Sequence, residues 1–534
     1  MTDQQHDSGQ RRQFYRTMML IALCVVAGRI ATVISKEGDT AFLSANDRSR
    51  WCTVAALVEA RTYEIDQLIN LKTKNRRPWY TIDLVRHRGD DGQLHYYSSK
   101  PPLLPTLVAG VYWLFYQATG LTLSAQPIYA VRIVLALVNL PLLALFFWAT
   151  IGSIERVGTG QWSRKFAAAA TCFGTMLMPF AVSLNNHLVA AAATALVMNI
   201  YVRAATRPGD DDSQVGQSRS ISAWAWLIAG MAAGFAAANE LPALSMTALW
   251  LLLVIVLDWR GSISFLIGVF LVAAGFFATN KIAHDSLRPP YMHRSDGPEI
   301  ALVESAQRPQ PAEVAQLLGE KRVEFDSMGD LVISPSGKAD RWVVQSTDQR
   351  LFALTRLSDS KWQLSHWDDW YDYPNSYWRG GTRRGVDLGE PSRQTYFAQL
   401  TVGHHGIFSL TPIWCLVPLG MVMGMFSGPP GVRRCFFAVV LATGVCIAFY
   451  VMRPEIDRNY GGVSVCFRWL LWFAPLWLLT STPAIDWCAT RSPLRAFLSV
   501  LLAGSVFSMA TSLDSPWQHP WLYQYWSFLG WISG

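Results

Sequence analysis

Long apolar runs, separated by short polar stretches that carry arginine, make up most of the chain. A helix needs about 20 apolar residues to cross a bilayer. Eleven runs fit that pattern: 15–35, 127–151, 166–183, 187–204, 222–238, 241–258, 262–280, 406–427, 435–452, 466–482 and 495–511. A twelfth, 103–117 (LLPTLVAGVYWLFYQ), is short and follows Pro101-Pro102, so it is expected to dip into the outer leaflet without crossing. Basic residues collect in cytoplasmic loops. With Arg11, Arg12 and Arg16 inside, the inside loops carry Arg156, Arg164 and Lys165; Arg203, Arg207 and Arg219; Arg260; Arg433 and Arg434; and Arg491 and Arg495. Counting 103–117 as a span would move Arg164-Lys165 and Arg433-Arg434 outside, so eleven spans fit best. No small-residue cleavage site follows Ile30 to Ser35, and the first run is expected to stay as a helix.

Three regions then face away from the cytoplasm: 36–102, 281–405 and 453–465. In the second, Arg341-Trp-Val-Val-Gln-Ser and Leu351-Phe-Ala-Leu-Thr-Arg-Leu alternate apolar and polar positions around Thr-Asp-Gln, which predicts a β-hairpin. The expected fold class is an α-helical polytopic membrane protein with about 11 transmembrane helices, interfacial helices and a small β-rich extracytoplasmic insert. Its expected parts are an N-terminal transmembrane module at 1–280, the insert at 281–405 and a C-terminal transmembrane module at 406–534. The inside loop 205–221 is polar and reads as flexible. The expected location is a bacterial inner membrane, with the N-terminus cytoplasmic.

Composition agrees with a lipid solvent. Hydrophobic residues are 51% and charged residues 16%, against about 25% charged in soluble domains. The 23 Trp suit belts at headgroup level. The net charge of +7 sits largely in short loops beside apolar runs, where it sets topology and gives no signal for nucleic acid. The eight Cys have no paired spacing and no Cys/His cluster, so neither a disulfide framework nor a zinc site is expected. No cofactor is expected. Adjacent side chains rarely point the same way, so His404-His405 is not read as a metal site.

The first outside region is the most informative. Asp47-Arg48-Ser49-Arg50-Trp51 opens a stretch with Trp51, Val54, Ala55 and Val58 on one helical face. Later comes Tyr96-Tyr97-Ser98-Ser99-Lys100-Pro101-Pro102. The two prolines fix the chain as it re-enters the membrane, which puts Lys100 at headgroup depth, within reach of a phosphate. Asp47 is suited to general-base chemistry, and its bland alternative is a solvated loop acid or helix cap.

Together these stretches resemble the GT-C membrane glycosyltransferases, and most of all the aminoarabinose transferase and protein O-mannosyltransferase group. That family has an Asp-Glu-x-Arg-Tyr motif, an amphipathic helix, a Gly-Asp-Trp-like turn and Tyr-Phe-x-Lys-Pro-Pro before an interfacial helix. Here Asp47 to Trp51 match the first motif, Ala60-Arg61-Thr62-Tyr63-Glu64-Ile65 stand at the turn, and Tyr96 to Pro102 match the last. Two departures matter: Arg48 replaces the second acid, and the turn lacks its glycine. The resemblance implies an inverting transfer of a sugar from a polyprenyl-phosphate donor to an extracytoplasmic acceptor. It makes Asp47 the base toward an acceptor hydroxyl, or the group that orients the acceptor, and Lys100, then Arg50, the cations on the donor phosphate.

Further candidates lie at other outside turns. Arg458 and Arg468 flank Tyr460-Gly461-Gly462, and Arg468 falls just inside an apolar run. An arginine there needs a partner: a lipid phosphate, Glu455 or Asp457. His187, after Asn185-Asn186, and Glu240 sit at turns between spans as capping residues or substrate contacts, and Tyr97 and Tyr460 join them as candidate contacts. The aromatic cluster from Trp367 to Trp378 suits either sugar stacking or a seat on the membrane. Two rival readings stay open. A transporter or flippase of lipid-linked sugars would need ionisable residues in mid-span, for which Arg29 is a candidate. A catalytically inactive relative is suggested by Arg48.

Overall fold

The structure, a computed structural model, describes residues 2–206 and 221–532. Of the loop expected at 205–221, residues 207–220, with Arg207 and Arg219, lie outside the described residues. The chain forms two compact units: residues 1–43, 126–275 and 385–534 in one, and 44–125 and 276–384 in the other. These boundaries cut across the three segments expected from sequence, because most of the first outside region and most of the insert share a unit.

The first unit is helical. Among the described residues, six helices are long and apolar enough to cross a membrane: Ser8–Thr32, Pro127–Val157, Asn186–Ala205, Trp259–His284, Pro430–Val451 and Ser492–Thr511. Ala223–Asn239, Ala243–Leu257 and Pro412–Phe426 are shorter apolar helical segments. Three expected runs are broken. The run 406–427 becomes the single turn Ile407–Leu410, the 3-10 helix Pro412–Cys415 and the helix Leu416–Phe426. The run 166–183 becomes Gln161–Phe173, closed by Gly174, and the single turn Leu177–Phe180. The run 466–482 opens with a 3-10 helix, Arg468–Phe473, before the helix Ala474–Cys488, where Pro475 sits in the first turn and needs no hydrogen-bond acceptor for its nitrogen.

Helices in this unit approach closely through small residues. Ala190 to Ala193 and Ala195 are buried along Asn186–Ala205. A Cβ on Gly420 would strike the Thr480 carbonyl of the neighbouring helix. Arg29 is not near mid-helix as expected. The helix runs from Thr2 to Thr32, which puts Arg29 in its last turn, 2.9 Å from Asp514.

In the second unit the chain enters through the helix Ala45–Glu59 and crosses an antiparallel hairpin, β1 (Leu84–Arg88) and β2 (Leu94–Ser98). It leaves by the helix Leu103–Thr119, which ends at Gly120 in the left-handed region. The insert is a five-stranded antiparallel sheet of β3 (Arg294–Glu304), β4 (Val332–Pro335), β5 (Arg341–Gln345), β6 (Leu351–Ser358) and β7 (Lys361–Asp369), in the order β3-β7-β6-β5-β4. The expected hairpin is the β5–β6 pair, with Val344 opposite Phe352. One face buries Val344, Phe352, Leu354 and Leu364 against Val314 and Leu318 of the helix Pro311–Glu320.

A ladder of rings ties the β1–β2 hairpin to the insert. Tyr97 stacks on His87 at 4.1 Å, His87 lies 4.2 Å from Trp370, and Trp370 stacks on His293 at 3.5 Å. The Arg86 N–H donates to the Trp370 carbonyl at 2.9 Å. The helix Ala45–Glu59 departs from the one-sided pattern expected of it. Asp47, Ser49, Arg50 and Thr53 are buried along with Trp51, Val54 and Ala55. Its polar side finds partners inside the unit: the Ser49 hydroxyl donates to the Asp83 carbonyl at 2.7 Å and pairs with Ser98 at 2.7 Å.

Candidate functional site

The motif residues of the second unit are held by the first turn of Ala45–Glu59 and the end of β2. Ser44 caps that helix, its hydroxyl accepting the Asp47 N–H at 3.0 Å. Asp47 is therefore not the cap. It sits inside the first turn with no exposed surface, where a carboxylate is favoured by the helix dipole. One turn on, the Arg50 guanidinium folds back on the Asn46 side chain and its carbonyl at 3.3 Å. Arg48 reaches the Tyr80 carbonyl at 2.9 Å.

Lys100 follows β2. Its backbone N–H donates to the Ser98 hydroxyl at 3.2 Å, and its ammonium lies 3.1 Å from Asp83. Asp83 was not foreseen, and no motif marks it. The hairpin register reveals it, because Asp83 immediately precedes β1 and Leu84 pairs with Ser98. Tyr97 is buried, with its ring on His87 and its hydroxyl donating to Glu64 at 3.4 Å. Burial pushes the Tyr97 phenol up, with Glu64 and Asp66 adding to it. Burial pushes His87 down to about 4.

At the other end of Ala45–Glu59 a cleft of about 510 Å³ is lined by Glu59, Glu64, Asp66 and His95 among others. His95 lies 3.0 Å from Asp91, 3.4 Å from Asp66 and 3.7 Å from Glu64. Partial burial alone would lower its pKa, but the Asp91 hydrogen bond and the two carboxylates raise it. Trp370 and Tyr371 of the aromatic cluster are buried, Trp367 lies 4.2 Å under the Arg341 guanidinium, and the Trp378 indole donates to the Ile82 carbonyl at 2.8 Å. The cluster packs the interior of this unit.

In the first unit the structure gathers His187, Glu240 and Arg468 from three helix ends. Asn185 caps Asn186–Ala205 and accepts the His187 N–H at 2.9 Å. Glu240 closes Ala223–Asn239. Its carboxylate accepts from Asn186 at 2.6 Å and pairs with Nδ1 of His187. Nε2 of His187 lies 2.6 Å from an Nη of Arg468, whose Nε–H donates to the Gly461 carbonyl at 2.7 Å. The guanidinium lies 5.1 Å over Trp517. Among the foreseen protein partners of Arg468, neither Glu455 nor Asp457 is paired with it. Glu455 is 3.9 Å from Arg458 and Asp457 is 3.5 Å from Arg453.

Arg458 donates to the Pro391 carbonyl at 2.7 Å. Tyr460 donates to Glu390 at 2.9 Å and stacks on His405 at 4.1 Å. Burial pushes the Tyr460 phenol up, with Glu390 adding to it. His404 contacts His405 through Nδ1, and burial, then His519, lowers it to about 4. Phe467 lines a small apolar cleft of about 30 Å³ with Met176, Trp414, Leu470 and Trp477. No group of three or more His, Cys, Asp or Glu among the described residues is arranged to hold a metal ion.

No protein-family model and no curated protein sequence matches the chain. Among solved structures, it is similar to the archaeal oligosaccharyltransferase AglB from Archaeoglobus fulgidus, in complex with an inhibitory peptide and a dolichol-phosphate. That match has 12% identity and a TM-score of 0.44, and covers 97% of this chain and 58% of that one. The apo form of the A. fulgidus oligosaccharyltransferase gives 11% identity and a TM-score of 0.45, over 97% and 57% of the two chains. The chain thus spans less than two thirds of these archaeal enzymes. It is also similar to the S. cerevisiae protein O-mannosyltransferase Pmt1-Pmt2 complex bound to the sugar donor, with 11% identity and a TM-score of 0.47, over 97% of this chain and 92% of that one.

Proposed function

We propose that the protein is a membrane glycosyltransferase that moves a sugar from a polyprenyl-phosphate donor to an extracytoplasmic acceptor with inversion. Asp47 is the base. It takes the proton of an acceptor hydroxyl as that oxygen bonds to the sugar carbon and the lipid phosphate leaves with the bonding pair. Cations are needed where charge gathers on the departing phosphate. The candidate cations are Lys100, Arg50, Arg468 and Arg458.

The observation that carries the reading is Asp47 itself. A carboxylate with no exposed surface stands in the first turn of the helix whose sequence matches the family motif, in the same unit as Lys100-Pro101-Pro102. The transporter reading loses its mid-span charge, since Arg29 ends its helix beside Asp514. The inactive-relative reading keeps its support from Arg48, whose guanidinium is engaged by the Tyr80 carbonyl.

The test is purified protein reconstituted with candidate lipid-linked sugars, comparing wild type with Asp47→Asn. Wild type is expected to release polyprenyl phosphate, and the variant to be slower by a factor of about 100 or more. Equal turnover would remove Asp47 from the mechanism. A wild type inert toward every donor, while still binding lipid phosphate, would favour the inactive relative.

A further inference from the structure

Glu240, His187 and Arg468 form a chain whose protons are fixed by what each group can do. Arginine only donates, so Nε2 of His187, 2.6 Å from the Arg468 Nη, accepts. The ring is then neutral, and its one proton sits on Nδ1, aimed at the Glu240 carboxylate. A carboxylate behind an imidazole holds its tautomer and makes the far nitrogen a better acceptor. Glu240 is itself held by the Asn186 amide, which also donates to the Asn239 carbonyl at 3.0 Å. His187 has no exposed surface, and Glu240 is 5% exposed.

The Arg468 fork is thereby held on His187 and on the Gly461 carbonyl, with Trp517 across its face. Gly461 has φ +95°, and a Cβ there would collide with the Arg468 Nε. The closure therefore requires glycine at that position. Nothing in this chain of contacts presents Glu240 or His187 as a sugar-binding group.

We infer that Glu240 and His187, with Gly461 closing the loop, are positioning residues that aim the Arg468 guanidinium at the donor phosphate. This rests on the reading of Arg468 as a phosphate-binding residue. It changes the roles of Glu240 and His187 from substrate contacts to supports of that arginine.

The test uses the full chain in nanodiscs with farnesyl phosphate as the probe and farnesol as the uncharged control. Arg468→Gln is expected to bind farnesyl phosphate about tenfold more weakly, with farnesol binding unchanged. His187→Ala, Glu240→Ala and Gly461→Ala should each cause a similar loss in the wild-type background and none in the Arg468→Gln background. Glu240→Gln should retain affinity within about twofold, since its amide oxygen still accepts the Nδ1 proton. If Gly461→Ala does not fold, His187→Ala and the Glu240 pair still decide. Losses of equal size in both backgrounds would mean mere support of the fold and overturn the inference. So would a His187→Ala variant that binds like wild type while Arg468→Gln is impaired. If Arg468→Gln itself binds like wild type, the phosphate reading of Arg468 fails first.

Discussion

The two compact units bury polar groups by different means. The second unit neutralises charge with charge. Arg341, 3% exposed, lies 3.0 Å from Asp369 and 3.3 Å from Asp372 and also contacts Asp296, while Lys338 and Arg379 reach the same acids at 2.7 and 2.9 Å. The first unit is held by close approach of small residues and by amides bonded to backbone. Asn139 donates to the Ala181 and Ser183 carbonyls at 2.8 and 3.0 Å, and Asn199 to the Ala149 carbonyl at 2.8 Å. Its ion pairs gather toward helix ends, as with Arg11 and Glu155 at 2.9 Å. The difference follows from the solvent. Lipid gives apolar side chains no reason to leave it, so helices associate by packing depth, and an ionised group in mid-span is costly.

The largest expected effect probes packing depth. Gly420→Leu must push Leu416–Phe426 away from Ala474–Cys488, because even a Cβ meets the Thr480 carbonyl. No folded protein is expected, judged by size-exclusion profile in detergent. Gly444→Leu is the control: its Cβ has no neighbour within 4 Å, and it should behave as wild type. Equal behaviour of the two variants would break the claim that small residues hold this unit.

The second unit should fail through charge. Arg341→Ala leaves Asp369 and Asp372 buried without their central cation, at a cost of about 3–5 kcal/mol. Amide exchange across β5, β6 and β7 should speed up accordingly, with little change in the helices of the other unit. A loss below about 1 kcal/mol would show that Lys338 and Arg379 alone satisfy the acids.

Acid offers a milder test. His87 is 8% exposed and held neutral, with its pKa lowered from 6.5 to about 4 by burial. Below pH 6.5 the unfolded chain takes a proton that the folded unit refuses. Its stability is therefore full above 6.5 and falls between 6.5 and about 4, by about 3 kcal/mol in all. His404 in the first unit is lowered to about 4 as well, so both units should soften over the same window. His87→Phe should reduce the loss of stability that acid causes in β1 and β2, against the opposing gain from His95 of β2, whose pKa is raised, read by amide exchange at pH 7 and pH 4.5. An acid-induced loss as large as in wild type would place the sensitive group elsewhere, with His284, 3.0 Å from His87, the first candidate.

What could be read from the sequence divides along the same line. Apolar runs and the β5–β6 alternation are local patterns: the hairpin forms where it was expected, while six helices among the described residues are long and apolar enough to span and other runs are shortened or broken. Contacts that join distant segments were not legible. His187 and Arg468 are 281 positions apart, and neither turn names the other. The partner of Lys100 depends on hairpin register, and the burial of Arg50 depends on polar groups that close over the second face of its helix. Arg29 was misplaced because an apolar run blurs where a helix ends, whereas the structure ends it at Thr32.

The smallest expected effect bears on whether the Lys100 charge in the second unit belongs to the fold or to a ligand. Asp83 and Lys100 are 3.1 Å apart, with side chains 11% and 19% exposed, so solvent screens the pair only in part. Asp83→Asn removes the charge while keeping the backbone carbonyl that Ser49 and the Ser99 N–H use. Its cost in stability should be about 1 kcal/mol. A phosphate that binds Lys100 must compete with Asp83 for it, so the variant should bind farnesyl phosphate about threefold more tightly. Weaker binding would instead mean that Asp83 holds the ammonium in place for the ligand. Unchanged binding, with the same loss of stability, would assign Lys100 to the fold alone and leave phosphate recognition to the arginines.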